Sequence, residues 1–262
     1  MLRRVLVGLF GSTILWGSPG LAVGSAAAAV PEADRLWVVG VQAFEDGLYD
    51  VAYRELERFT RVAPEDLRRG DATLLQGKAA FAMARYAEAL AGFEAAQMFP
   101  LRAIQAGEPV FWQGEALFRL RRFEEAEARY ALFLQDHPRS PHAADALYGR
   151  GLSEIELGRS DEAVAALGQL LREHPKSELA ATAAYAVARE LVRATRWEEA
   201  LPLLGTYGSR YPGSRFLREM RYLLGVAQIQ TGRASEGMRT LEQFIATDPG
   251  HDLAPTARVL VA

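Results

Sequence analysis

The chain of 262 residues has no cysteine, only two lysines (Lys78 and Lys176) and no apolar run long enough to span a bilayer. Without cysteine there are no disulfides, no thiolate metal ligands, no cysteine nucleophile and no N-terminal cysteine to carry a lipid. Basic charge rests almost wholly on arginine, a compositional bias with no functional meaning of its own. With 30 basic against 33 acidic residues, the formal net charge is −3. A mildly acidic, mixed-sign surface does not suit a nucleic-acid binder, which needs a basic face. The HExxH helix, the glycine-rich phosphate loop and the serine elbow are missing as well. Half of the residues are hydrophobic, so material for a packed core is ample.

The N-terminus reads as an address. Arg3 and Arg4 form a short basic region, residues 5–16 are mostly apolar, and a breaker run follows at Gly17-Ser18-Pro19-Gly20. Small residues then accumulate up to Ala29, which fits an A-x-A cleavage site. This layout predicts a secretory signal peptide over residues 1–29, with Ala22 as the other candidate site. The apolar stretch is far short of the ~20 residues a spanning helix needs, so the mature chain is expected to be periplasmic without stable membrane insertion. Such a location also allows association with the outer membrane through a partner.

What is present in quantity is repetition. Steps of 37 from Gly40 reach Gly77, Gly114, Gly151, Ala188 and Gly225; steps from Ala52 reach Ala89, Ala126, Ala163, Ala200 and Gly237. A third column runs Pro64, Leu101, Pro138, Pro175, Pro212 and Pro249. Six units follow, approximately 33–69, 70–106, 107–143, 144–180, 181–217 and 218–254, with a partial seventh at 255–262. If Gly40 occupies place eight, the alanine column is place twenty and the proline column place thirty-two. Place twenty-four is bulky: Leu56, Phe93, Tyr130, Leu167, Leu204 and Leu241. Apolar steps of three and four residues predict two helices per unit. Small residues at places eight and twenty would let the paired helices approach, with the bulky places filling the groove between hairpins. Proline stops the second helix. Ser140, Ser177 and Ser214 are then expected to cap the next first helix, with Pro141 at its first position. Gly237, inside a helix, predicts a local weakness in unit six. The chain ends halfway through a seventh first helix, so either the natural protein continues or this end packs on a partner.

Glycine at place eight, Tyr49, Tyr86 and Phe123 at place seventeen, alanine at twenty and proline at thirty-two resemble the tetratricopeptide (TPR) repeat. The spacing is that of the longer variety familiar from bacterial envelope proteins of the barrel-assembly and Tol–Pal systems. The sequence departs from those two by lacking a lipid-bearing cysteine and a heptad-rich segment ahead of the repeats. The resemblance implies an all-α fold, a right-handed α-solenoid over residues 30–262. It also implies protein or peptide partners, with envelope proteins as the expected class, held in a concave groove lined by first-helix places two, five, nine, twelve and thirteen. On these places stand Trp37, Lys78, Phe111, Arg119, Tyr148, Tyr185, Arg189, Arg193 and Tyr222. The competing reading makes place twelve, and part of place five, hairpin core. The carboxylate clamp of chaperone-binding members is not matched, since the first unit has Trp37 and Val41 where it needs Lys and Asn.

Chemistry is not indicated. His137, His142, His174 and His251 sit in the links and read as polar turn residues. Glu124-Glu125 and Glu198-Glu199 suit the positive N-terminal end of a second helix better than paired catalysis. The expectation is therefore a non-enzymatic adaptor or scaffold of the cell envelope, with no catalytic residue, metal or cofactor. Its rivals are the substrate-binding part of a longer envelope enzyme and a self-assembling structural protein.

Overall fold

The computed structural model describes residues 31–101 and 107–262, so the expected signal peptide lies outside the described residues. The chain divides into two compact units, Met1–Ala106 and Gly107–Ala262. The first contains α1 (Glu32–Glu45), α2 (Tyr49–Val62), α3 (Arg69–Ala82) and α4 (Tyr86–Ala96). The second contains α5 (Glu108–Arg119), α6 (Phe123–Asp136), α7 (Ala143–Glu156), α8 (Ser160–Glu173), α9 (Ala180–Arg193), α10 (Trp197–Arg210), α11 (Leu217–Gln230), α12 (Ala234–Thr247) and α13 (Ala254–Val261). Among the described residues there is no strand, and within each unit every helix packs on the next in chain order. That is the all-α solenoid order the period predicts. Second helices begin at Tyr49, Tyr86, Phe123, Ser160, Trp197 and Ala234, each on place seventeen.

One turn joins each first helix to its second. Residue fifteen of every unit has a positive φ, at Gly47, Ala84, Arg121, Gly158, Thr195 and Gly232. The next N–H returns to the carbonyl five residues back, as in Leu48 to Ala43 (2.8 Å) and Arg196 to Leu191 (2.8 Å). This left-handed closure satisfies the last carbonyls of the first helix. At the other end, Ala63, His137, His174, Tyr211 and Asp248 leave helical geometry at ψ between 51° and 72°. Each precedes a proline, which disfavours helix at that position.

The serine column works differently from expectation. Ser140, Ser177 and Ser214 accept the N–H of His142, Leu179 and Phe216 at 3.2, 3.1 and 3.2 Å. The helices begin one residue later, at Ala143, Ala180 and Leu217, so the serines close the turn ahead of the caps and Pro141 stands outside its helix. Asp66 and His251 hold the same place and accept from Arg68 (2.8 Å) and Leu253 (3.1 Å). The link needs an acceptor two residues before the cap, and hydroxyl, carboxylate and imidazole all supply one.

Helix pairs approach at the glycine column. A Cβ on Gly40 would stand 2.8 Å from Leu56, on Gly114 2.8 Å from Tyr130 and on Gly151 2.5 Å from Leu167. Place twenty-four therefore packs onto place eight of its own hairpin, rather than chiefly between hairpins. Tyr130 does both, since its ring end also lies against Gly149 of the following hairpin. Helix α12 is unbroken at Gly237, where a Cβ would meet the Gly225 carbonyl at 2.6 Å. The glycine expected to be a weakness is a close-approach device. Phe44, Phe81 and Phe118 at place twelve meet Tyr49, Tyr86 and Phe123 edge to face at 5.3–5.4 Å. Phe44 and Phe81 are buried and Phe118 is half-buried, so the core reading of that place holds in the first unit.

Candidate protein-binding site

In the second unit the place-five residues come from α5, α7, α9 and α11, and each ring has a neighbour the repeat columns did not predict. Phe111 is 4% exposed and stacks on His142 at 4.5 Å, so it is core, not groove wall. Tyr185 stacks on Phe216 at 4.1 Å with the ring planes 7° apart. Tyr222 packs against Phe244 at 5.8 Å and is half-buried. In the first unit Trp37 has the Arg68 guanidinium 5.7 Å from its ring centre, and Leu74 at the same place is fully buried. His142, Phe216 and Arg68 all occupy place thirty-six, the residue just ahead of a first helix. At Trp37 and Tyr185, place five thus gives one face to the link that follows and leaves the remainder partly open, whereas Phe111 and Leu74 are closed into the core.

Around Tyr185 the half-exposed residues converge. Arg189, one turn on, lies 5.6 Å from its ring centre; Arg215 lies 4.6 Å from that of Phe216. Burial pushes the Tyr185 hydroxyl up to about 12, helped by its hydrogen bond to Glu219. Tyr148, on α7, is half-buried; burial raises its hydroxyl, opposed by the positive charge of Arg215. Of the expected residues, Tyr185 and Arg189 are thus brought together, and Phe216, Arg215 and Glu219 join them. Of the additions only Glu219 stands in a column legible in the sequence, the acidic place two of Asp34, Asp71, Glu108 and Asp145; Arg215 and Phe216 stand at places whose residue type does not recur.

The other expected residues lie elsewhere. Arg193 hydrogen-bonds Ser160 and pairs with Glu190 at 2.6 Å, which neutralises a buried carboxylate. Burial raises Glu190, but the hydrogen bonds from Arg193 and Ser160 outweigh it and leave the carboxyl below its ordinary value. Arg119 is exposed in the last turn of α5. Lys78 is half-buried in the first unit. A cleft of about 510 Å³ lies between α10, α11 and α12, lined by Leu201, Pro202, Gly205, Leu224 and Gln228, away from all nine of these residues. Among the described residues no grouping of His, Asp and Glu could hold a metal ion, and no helix is long and apolar enough to cross a membrane.

Family models described as tetratricopeptide repeat match residues 112–178, 148–214 and 219–251, just over half of the chain. The chain belongs to the tetratricopeptide repeat family. No curated protein matches it. Similar solved structures include PilF of Pseudomonas aeruginosa, with a TM-score of 0.60 at 15% identity, covering 87% of this chain and 97% of that one. PilW, a type IV pilus biogenesis factor, gives 0.57 at 20% identity, covering 87% and 99%. YrrB, a TPR protein with an unusual peptide-binding site, gives 0.60 at 18% identity, covering 78% and 99%. At these identities the likeness is one of fold. The family matches all fall in the second unit of this TPR chain, the unit that holds the aromatic–arginine cluster.

Proposed function

We propose that the chain is an exported, non-enzymatic scaffold of the bacterial cell envelope that holds partner proteins or peptides on the first-helix face of its second unit. The observation that carries this reading is the cluster of Tyr185, Phe216, Arg189 and Arg215, two half-buried stacked rings each with a guanidinium over it, with the half-buried Tyr148 on the neighbouring first helix α7. Aromatic and arginine side chains dominate the energetics of protein interfaces: rings bring much contact area at little cost in side-chain entropy, and arginine brings a fork of hydrogen-bond donors. The signal-peptide pattern over residues 1–29 supports periplasmic location, and the fold shared with a pilus biogenesis factor and a peptide-binding TPR protein is compatible with the role.

Crosslinking in intact cells, followed by identification of the linked proteins, tests the reading. Replacing Tyr148, Tyr185 and Arg189 together with alanine is expected to abolish the principal crosslink at unchanged protein level. Survival of every crosslink sinks the proposal. N-terminal sequencing of protein from the periplasmic fraction is expected to begin at Val30 or Pro31.

A further inference from the structure

We infer that the cluster recognises an extended acidic segment of its partner, one carboxylate on Arg189 and another on Arg215. The inference rests on the site reading above and adds the chemistry of the occupant. Both arginines are exposed, and neither has a carboxylate within ion-pair distance among the described residues. Their sequence neighbours differ: Arg193 is paired with Glu190 and Arg218 with Asp248 (2.9 Å). Glu219, the acid within the cluster, meets the Tyr185 hydroxyl, and Arg189 hydrogen-bonds the same hydroxyl. A guanidinium held against a ring has lost much of its rotamer freedom, and with five N–H donors Arg189 can keep its bond to Tyr185 and still meet a carboxylate.

The contacts limit the spacing. Arg189, Tyr185, Phe216 and Arg215 follow one another at 5.6, 4.1 and 4.6 Å, which bounds the separation of the two guanidiniums at about 14 Å. An extended chain advances about 3.3 Å per residue. Acidic residues within about four positions of each other therefore reach both, and an apolar residue between them can meet the Tyr185–Phe216 pair. A nucleic acid would also meet arginine and aromatic faces, but place two puts Asp145 and Glu219 along the same first helices, and a continuous polyanion has to pass them.

Fluorescence anisotropy with the full chain tests this, using a labelled twelve-residue peptide that carries two glutamates three apart with a phenylalanine between them. The same peptide with glutamines, the same with lysines, and a labelled oligothymidylate serve as comparisons. The glutamate peptide is expected to bind at least 10-fold more tightly than the glutamine peptide, with an affinity that falls as salt rises. Arg215→Ala is expected to lose most of that preference. Arg189→Glu with Arg215→Glu, checked for native helicity by circular dichroism, is expected to favour the lysine peptide. Equal binding of the glutamate and glutamine peptides, no binding of either, or tighter binding of the oligothymidylate overturns the inference. If the crosslink is lost on alanine substitution while the peptides are not discriminated, the site stands and its acidic specificity falls; if every crosslink survives, the site itself falls.

Discussion

At place fifteen the backbone needs a left-handed residue, and three of the six residues there are not glycine: Ala84, Arg121 and Thr195, at φ 59°, 60° and 55°. Thr195 is the most strained, because a β-branched side chain crowds that conformation. Thr195→Gly is expected to stabilise by about 1 kcal/mol, seen as a higher urea midpoint at constant slope. Gly237→Ala is expected to do the opposite by about 1–3 kcal/mol, since its Cβ has no room beside the Gly225 carbonyl. Two carboxylates give opposite pH dependences. A hydrogen bond from Arg68 holds Asp66 down to about 2 against the opposing effect of burial, and unfolded Asp titrates near 3.9. Its stabilisation is complete above about pH 4 and is lost as pH falls toward 2. Asp66→Asn is expected to cost about 1–3 kcal/mol at pH 7 and to flatten that acid limb of the stability profile. Glu154 is 1% exposed with one oxygen lacking a hydrogen-bond partner, and burial raises its carboxyl, opposed by Arg150. A carboxyl raised in the fold stabilises at low pH and loses that contribution as pH rises through its folded value. Glu154→Gln is therefore expected to gain about 1 kcal/mol at pH 7 and nothing at pH 3, read by denaturation at the two pH values.

Among the elements, α10 is the one whose composition opposes helix. Pro202 stands inside it, so the Glu198 carbonyl lacks the N–H four residues on, and Gly205 and Gly208 add backbone freedom. The helix forms because its buried face, Ala200, Leu204 and Tyr207, packs on its neighbours, and the Tyr207 hydroxyl donates to the Ala181 carbonyl at 3.0 Å. Nothing lies within 4 Å of a Cβ at Gly205, so Gly205→Ala is expected to stabilise by about 1 kcal/mol, with slower hydrogen exchange confined to α10. Helix boundaries were largely legible in the sequence, since turns, prolines and apolar steps are local signals. The function of the serine column was not: spacing marks a turn but not which N–H the hydroxyl meets, and the helix began beyond it.

For the molecule as a whole, stability in each unit comes from stacked neighbours, not from any hairpin alone. Place three shows where the stack tolerates charge: it is buried as Ala72, Ala146, Ala183 and Met220, and exposed as Arg35 in α1. Ala183→Arg is expected to unfold or strongly destabilise the second unit, whereas Arg35→Ala leaves melting unchanged; circular dichroism melts separate the two. Of the candidate site, the place-five rings and Arg189 could be picked from the repeat columns, but Phe111 and Arg193 could not be ruled out of it. Their exposure depends on residues about 30 positions away, His142 for one and Ser160 for the other.

The period of 37, the paired helices and the close approach at place eight follow from the sequence, because each is a local rule repeated at fixed spacing. Tertiary structure decided which side chains on the repeated face are left to solvent. A link residue at place thirty-six reaches back over the ring at place five, and its identity (Arg68, His142 or Phe216) sets whether that ring is held by charge, closed into the core or built into the stack between Arg189 and Arg215. The columns locate such residues; only the packing across the link brings them together.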